Sequence, residues 1–366
     1  LLTAVLFALA TTPALAVGPE GGGSEALLIA QVTILVIAGR AMGEAMQRLG
    51  QPSILGQILA GILLGPSVLG LLWPEAEAAL FPPTPPEQGA MISGLSQVGI
   101  LFLLLLAGME TDLGLALRLR RQAFSVSLAG IAVPFLCGVT LGFLMPQDLL
   151  PHPEARLVTA LFLGTALSIS SVKIVATVVR EMNFMRRNLG QLIVATAVID
   201  DTVGWVIIAI TFSLATSGAI DALSVGVSVL GTLAFLAISF TVGRRAVFEI
   251  IRWTNDTLRS EGPVVSAIVA IMGTMALLTS LLGVQTVLGA FVAGILIGQS
   301  PILTRQIDEQ IRGLTTALFM PVFFGLTGLH TDLGVLADPE TLLLAAGLIV
   351  IASIGKFGGA FIGARI

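Results

Sequence analysis

Two adjacent acidic residues, Asp200 and Asp201, lie inside the apolar run 189–212, in the segment AVIDDTVGW. An ionisable side chain within a membrane-spanning helix is costly, and such residues usually serve ion or proton transport. Neighbouring helix positions point about 100° apart, so one carboxylate can face a cavity and the other an adjacent helix. Two close carboxylates titrate as a coupled pair that holds one proton more tightly. We therefore predict a site that exchanges protons for a cation, and favour it over a purely structural helix–helix hydrogen bond.

A lysine, Lys356, lies within another apolar run, in the segment IASIGKFGGAF. A buried lysine loses its proton easily unless it is paired, so we expect Lys356 to be the charge partner of one aspartate, and we pair it with Asp200. Its flanking glycines, Gly355, Gly358 and Gly359, favour close helix packing and so a position inside the helix bundle. The alternative is a lysine that extends along its helix to the lipid headgroups.

Hydroxyl side chains cluster in the segment TALSISS, at Thr165, Ser168, Ser170 and Ser171, and Lys173 follows two residues later. So many hydroxyls weaken a helix, and oxygen atoms are the ligands that hard cations prefer. We predict a helix broken near the membrane midplane, with oxygens that bind the transported cation. Hydrogen bonding of each hydroxyl to its own helix explains the pattern almost as well. Lys173 is either a counter-charge of this site or a residue of the cytoplasmic entrance.

The elements that hold these residues are predicted to be membrane-spanning helices. Of 366 residues, 55% are hydrophobic and 11% are charged, whereas soluble domains are about a quarter charged. The net charge of −4, the single cysteine and the two histidines argue against a nucleic-acid binder, a disulfide scaffold and a Cys- or His-based metal site. Eleven runs are long enough to span a bilayer: 26–45, 52–73, 92–113, 122–145, 157–179, 189–212, 222–243, 263–281, 284–300, 314–331 and 341–363.

The N-terminal segment and the loop charges predict the orientation. Residues 1–16, LLTAVLFALATTPALA, are similar to a signal peptide with an A-x-A cleavage site but lack a basic start; an additional apolar helix is the alternative. Of 18 Lys and Arg residues, 14 fall in one alternating set of loops, one falls in the other set and three fall inside spans. Because basic loops stay cytoplasmic, the helix at 26–45 is predicted to run from outside to inside.

An internal repeat relates two pairs of helices. Residues 53–65 (SILGQILAGILLG) and 286–298 (TVLGAFVAGILIG) are identical at seven of 13 positions, and residues 108–114 (GMETDLG) and 328–334 (GLHTDLG) at five of seven. The copies are seven spans apart, an odd number, so they have opposite topology, as in the inverted repeats of secondary transporters. Counterparts of the fifth and sixth spans would follow residue 363, so we expect about two further helices beyond it.

These motifs resemble the monovalent cation:proton antiporter-2 family, which contains the Kef-type and Nap-type exchangers. The similar segments are QPSILGQILAGILLGPSVLG (51–70), GILFLLLLAGMETDL (99–113), VLGAFVAGILIG (287–298) and MPVFFGLTGLHTDL (320–333). The resemblance covers residues 26–366, a C-terminally truncated sodium/hydrogen exchanger transmembrane domain. It implies an inverted-repeat antiporter fold with broken helices, a homodimer, and a dimerisation and a core domain that move relative to each other like an elevator.

The resemblance also implies roles for individual residues. In the family the second acid of the pair binds the cation, which matches Asp201, and the first acid pairs with the lysine, which matches Asp200 and Lys356. The broken helix matches Thr165–Ser171, and an Asp–Asp pair implies electrogenic sodium/proton exchange. Two features depart from the family: Lys173 stands where a small or apolar residue is expected, and no segment matches the second broken helix.

We therefore predict a secondary active Na⁺/H⁺ antiporter of the cell membrane, in which proton and cation compete for the aspartate pair. The alternatives are a Kef-like K⁺/H⁺ antiporter and a regulated K⁺ efflux channel, although no TVGYG-like filter is present. An intramembrane aspartyl protease is remote, because its two acids face each other from separate helices. We expect no enzymatic activity, no cofactor and no nucleic-acid partner. The expected partners are membrane lipids, monovalent cations, protons and a second copy of the chain.

Overall fold

The computed structural model describes residues 22–82, 86–111, 118–147, 156–217, 222–258, 262–282, 284–300 and 305–365, and within these residues the chain is helical and contains no strand. The segment 1–16 and Asp112, in the GMETDLG motif, lie outside the described residues. By its internal contacts the chain divides into one unit of residues 1–106 and 304–338 and another of residues 107–303 and 339–366.

The first unit contains the N-terminal helices and the helices after residue 304. They are α1 (Gly22–Arg48), α2 (Ser53–Leu64), the short α3 (Leu69–Leu72) and α4 (Pro74–Leu80), most of α5 (Pro86–Met109), α14 (Arg305–Leu314) and α15 (Met320–Leu329). A π-helical turn at Thr315–Phe319 joins α14 to α15. An apolar core between α1, α2 and α15 includes Ile34, Leu35, Ala60 and Leu326.

The second unit contains the remaining helices. They are α6 (Arg120–Leu144), α7 (Arg156–Ser168), α8 (Val172–Glu181), α9 (Asn188–Ser217), α10 (Ala222–Ile238), α11 (Arg244–Thr257), α12 (Gly262–Leu281), α13 (Thr286–Gly298) and α16 (Pro339–Arg365). Large apolar side chains on these helices are exposed, including Phe357 (81%) and Leu281 (83%). Exposed apolar surface of this extent suits a lipid environment, because its exposure to water would be unfavourable.

The helices follow the predicted apolar runs closely but differ in detail. Within the residues that the structure describes, seven helical stretches are long and apolar enough to span a membrane, and two of them combine α2 with α3 and α14 with α15. The run 157–179 is divided between α7 and α8, as the hydroxyl cluster predicted. The run 284–300 forms only 13 helical residues, and α13 is buried along most of its length. A short helix is stable there because neighbouring protein surrounds it.

The internal repeat is visible in how its glycines pack. A Cβ atom at Gly108 would collide with the carbonyl oxygen of Phe291, and one at Gly328 would collide with that of Ile58. Gly328 lies 220 residues after Gly108, and Phe291 lies 233 residues after Ile58, the two offsets of the repeat. Each motif therefore places α5 or α15 directly against the backbone of a helix from the other copy, as small residues permit in membranes.

The ends of the two repeated helices are also alike. Thr111 and Thr331 each donate a side-chain hydrogen bond to the carbonyl four residues earlier, at 2.8 and 3.1 Å. The backbone N–H groups of Thr111 and Thr331 donate hydrogen bonds to the carbonyl oxygens of Gly108 and Gly328, each at 3.0 Å. The glycine and the threonine of the motif therefore form the same hydrogen bonds at the end of the helix in both copies.

Candidate ion-binding site

The break between α7 and α8 contains two of the four predicted hydroxyl residues, and the other two lie in the last turn of α7. α7 ends at Ser168 and α8 begins at Val172, so Ser170 and Ser171 lie in the non-helical connection, where both are half-buried. The Thr165 hydroxyl donates to the Leu161 carbonyl at 2.6 Å, and the Ser168 hydroxyl donates to the Thr165 carbonyl at 3.0 Å. The predicted helix break is confirmed, and two of the hydroxyls also bond to their own helix. Cation binding by these oxygens stays a prediction.

The first aspartate of the pair is held between helices. Asp200 on α9 is 2% exposed, and its Oδ1 accepts a hydrogen bond from the Ser127 hydroxyl on α6 at 2.6 Å. Its Oδ2 lies 3.5 Å from Nζ of Lys356 on α16. Asp201 is half-buried on the same helix. The two carboxylates therefore differ in environment, as neighbouring positions on a helix must.

Lys356 has three hydrogen-bond acceptors. Its ammonium group donates to the Gly130 carbonyl on α6 at 3.1 Å, to the Ser168 carbonyl at the end of α7, and to Asp200 Oδ2 at 3.5 Å. An ammonium group has three protons to donate, so these acceptors match its full capacity. The lysine thus joins α6, the helix break and α9, and its side chain is 30% exposed.

Glycines bring the lysine helix against α6. A Cβ atom at Gly355 would lie 3.0 Å from Cα of Pro134, and one at Gly359 would lie 3.0 Å from Cα of Gly130. Gly363 packs against Ser125 and Val126 in the same way. Spacings of four residues place these three glycines on one face. Gly358 has no atom within 4 Å of its Cβ position, so the close packing predicted around Lys356 uses Gly363 and not Gly358.

One predicted site residue, Lys173, has a side chain outside the described part of the chain. Its backbone lies in the first turn of α8. Among the described residues no group of three or more His, Cys, Asp or Glu residues could hold a metal ion.

Sequence reasoning missed the residues of α6. Ser127 and Gly130 both contact the charged pair, and both lie in the segment SLAGIAVP, which ends at Pro134. A serine and a proline inside an apolar run were visible in the sequence. Their contact with the charged pair could not be predicted, because nothing in the sequence shows which helix packs beside α9 and α16.

A buried ion pair beside a helix break, in a repeated set of apolar helices, defines a multi-pass membrane transporter of the inverted-repeat class. The family model described as "Sodium/hydrogen exchanger, transmembrane" matches residues 5–366, so the chain belongs to this family of monovalent cation/proton antiporters.

Several characterised proteins are similar to this chain. The Na⁺/H⁺ antiporter NhaS4 of Synechocystis is 28% identical over 93% of this chain and 82% of its own length. The Na⁺/H⁺-K⁺ antiporter GerN of Bacillus cereus is 30% identical over 92% and 79%. The plant cation/H⁺ antiporter 18 of Arabidopsis thaliana is 26% identical, and the match covers 40% of its length.

The structure is similar to that of the sodium proton antiporter MjNhaP1 from Methanocaldococcus jannaschii. The TM-score is 0.59 at 17% identity, over 92% of this chain and 79% of that chain. The predicted all-α inverted-repeat antiporter fold is thereby confirmed, as is the prediction of a cation:proton antiporter family. The narrower Kef-type or Nap-type assignment stays a prediction.

Proposed function

We propose that this protein exchanges Na⁺ for H⁺ across the cell membrane, with Asp201 binding the cation or the proton and Asp200 paired with Lys356. The observation that supports this most directly is the Asp200–Lys356 pair, 3.5 Å apart inside apolar helices and next to the α7–α8 break. Charged groups inside membrane-spanning helices are costly and mark ion pathways.

Competition at one carboxylate couples the two ions. A protonated Asp201 offers little to a cation, and a cation-bound Asp201 has no free charge for a proton. Oxygens at the helix break, from Thr165, Ser168, Ser170 and Ser171, are of the hard type that alkali cations prefer. Alternating exposure of this site to the two sides of the membrane then moves one ion against the other.

The larger assembly is also part of the proposal. We expect a homodimer in which a dimerisation domain stays fixed while the core domain carries the ion site across the membrane. The resident partners are membrane lipids, and the transported ions are Na⁺ and H⁺, with no bound cofactor. The relatives are named as transporters rather than enzymes.

Proton flux in everted membrane vesicles tests the function. Addition of NaCl to energised vesicles should release the accumulated protons in proportion to the exchange rate. LiCl and KCl, added separately at the same concentration, measure cation choice, and we expect K⁺ to give the smaller response. Cation flux that persists without any counterflow of protons would indicate a channel and would contradict the proposal.

A further inference from the structure

Pro134 lies inside α6, four residues after Gly130. Proline has no backbone N–H, and its ring crowds the carbonyl four residues earlier. The Gly130 carbonyl therefore receives no hydrogen bond from residue 134, and it accepts one from Lys356 at 3.1 Å instead. A backbone irregularity in α6 thus supplies an acceptor for the charged side chain of another helix.

The same ammonium group also reaches the carbonyl at the end of α7. Ser168 is the last residue of that helix, and the last carbonyls of a helix lack partners within it. Lys356 donates to this carbonyl as well. Two backbone carbonyls, one freed by a proline and one by a helix end, therefore share the lysine with Asp200.

The geometry of the ion pair reflects this sharing. The distance from Lys356 Nζ to Asp200 Oδ2 is 3.5 Å, whereas a direct ammonium–carboxylate hydrogen bond is about 2.8 Å. The other oxygen of Asp200 accepts from Ser127 at 2.6 Å. The carboxylate thus has a close contact with a neutral hydroxyl and a long one with the lysine.

We propose that Pro134 is a positioning residue of the ion site, a role that rests on the proposed exchange function. By leaving the Gly130 carbonyl open it draws the ammonium group of Lys356 away from Asp200. The carboxylate pair then keeps more of its negative charge for the transported cation. With an N–H at position 134, the Gly130 carbonyl bonds within α6, the lysine moves onto Asp200, and the cation binds less tightly.

The test compares Pro134→Ala with the wild-type protein in proteoliposomes that report Na⁺-driven proton flux. We expect the KM for Na⁺ to rise about tenfold, the equivalent of one hydrogen bond to a charged group, while kcat changes less than about twofold. Leu136→Ala is the matched control, because Leu136 lies on the same helix and is 63% exposed. It should leave both constants unchanged.

A second measurement does not depend on transport. Na⁺ stabilises a protein that binds it in the folded state by RT ln(1 + [Na⁺]/Kd), so the dependence of Tm on Na⁺ concentration gives the Kd for Na⁺. This Kd should rise about tenfold in Pro134→Ala and Pro134→Gly. In a Lys356→Ala background the same Pro134 substitutions should change it less than about twofold, because the residue through which Pro134 acts is gone.

Each result decides a different point. Wild-type protein without Na⁺-driven proton flux would contradict the proposed function. Wild-type exchange together with an unchanged KM in Pro134→Ala would overturn the positioning role alone, and so would an equal effect of the substitution with and without Lys356. Failure of both Pro134 variants to fold would also overturn it, because a positioning residue leaves the fold intact.

Discussion

The repeated helices and the helices around Lys356 both bring glycine against a neighbouring backbone, with different results. At Gly328 the close approach to α2 places apolar helices in contact, and the next residue, Leu329, is apolar. At Gly355 the close approach to α6 brings the next residue, Lys356, onto a backbone carbonyl. Close packing of a glycine therefore joins apolar helices in one region and positions a charged side chain in the other.

The difference shows which property each region must keep. The repeat contacts depend on the volume of the glycine alone, so any larger side chain disturbs them. The proposed ion site depends on charges and on carbonyls freed by irregular backbone, so substitutions that preserve the packing are still expected to change ion binding. Substitutions in the two regions should therefore separate folding from exchange.

The largest effect is expected from Asp201→Asn. An amide of the same size cannot bind and release a proton or attract a cation, so Na⁺-driven proton flux in vesicles should fall at least about 100-fold, to background. Thermal unfolding should change little, because Asp201 is only half-buried. Exchange at the wild-type rate in this variant would contradict the proposal that Asp201 binds the transported ions.

Lys356→Gln should reduce stability most among the site variants. It leaves Asp200, which is 2% exposed, without its counter-charge, and breaking such a pair costs about 3–5 kcal/mol. Thermal unfolding in detergent measures this loss, and the pH profile of exchange should change as well. Arg365→Gln, at the exposed end of the same helix, is the control. Equal stability of the two variants would argue that the ion pair contributes nothing.

Gly328→Val should reduce folding without changing ion affinity. The new side chain collides with the backbone of Ile58, and overpacking of this kind costs about 3 kcal/mol. The yield of folded protein should fall, while the folded fraction keeps the wild-type KM for Na⁺. Gly94→Val is the matched control, because no atom lies within 4 Å of a Cβ at Gly94. A changed KM for Na⁺ in the folded Gly328→Val protein would show that the repeat contacts also affect ion binding.

The smallest effect is expected from Ser127→Ala. It removes the 2.6 Å hydrogen bond to Asp200, and the loss of a bond to a charged group costs about 1.5 kcal/mol. Thermal unfolding compared with Ser93→Ala, an exposed serine of α5, measures it. A loss as large as that of Lys356→Gln would show that the hydroxyl and not the lysine is the main partner of Asp200.

Much of this structure could be predicted from local sequence features. Asp200, Asp201 and Lys356 are conspicuous because charge inside an apolar run has a high energetic cost, and the segment TALSISS indicated the break after Ser168. The repeat was visible because both copies keep the same glycines and threonines. By contrast, Gly358 was expected to pack and does not, because the orientation of a helix face depends on its neighbours.

The sequence by itself determined that this is a membrane protein of repeated helices with charges in its interior, because hydrophobicity and charge are properties of each residue. Only the tertiary structure decided that Ser127 and the Gly130 carbonyl meet that charge, since this depends on α6 packing against α9 and α16. A hydroxyl, a proline and a glycine are ordinary residues in a membrane helix. They come to surround an ion pair when another helix places a charged side chain beside them.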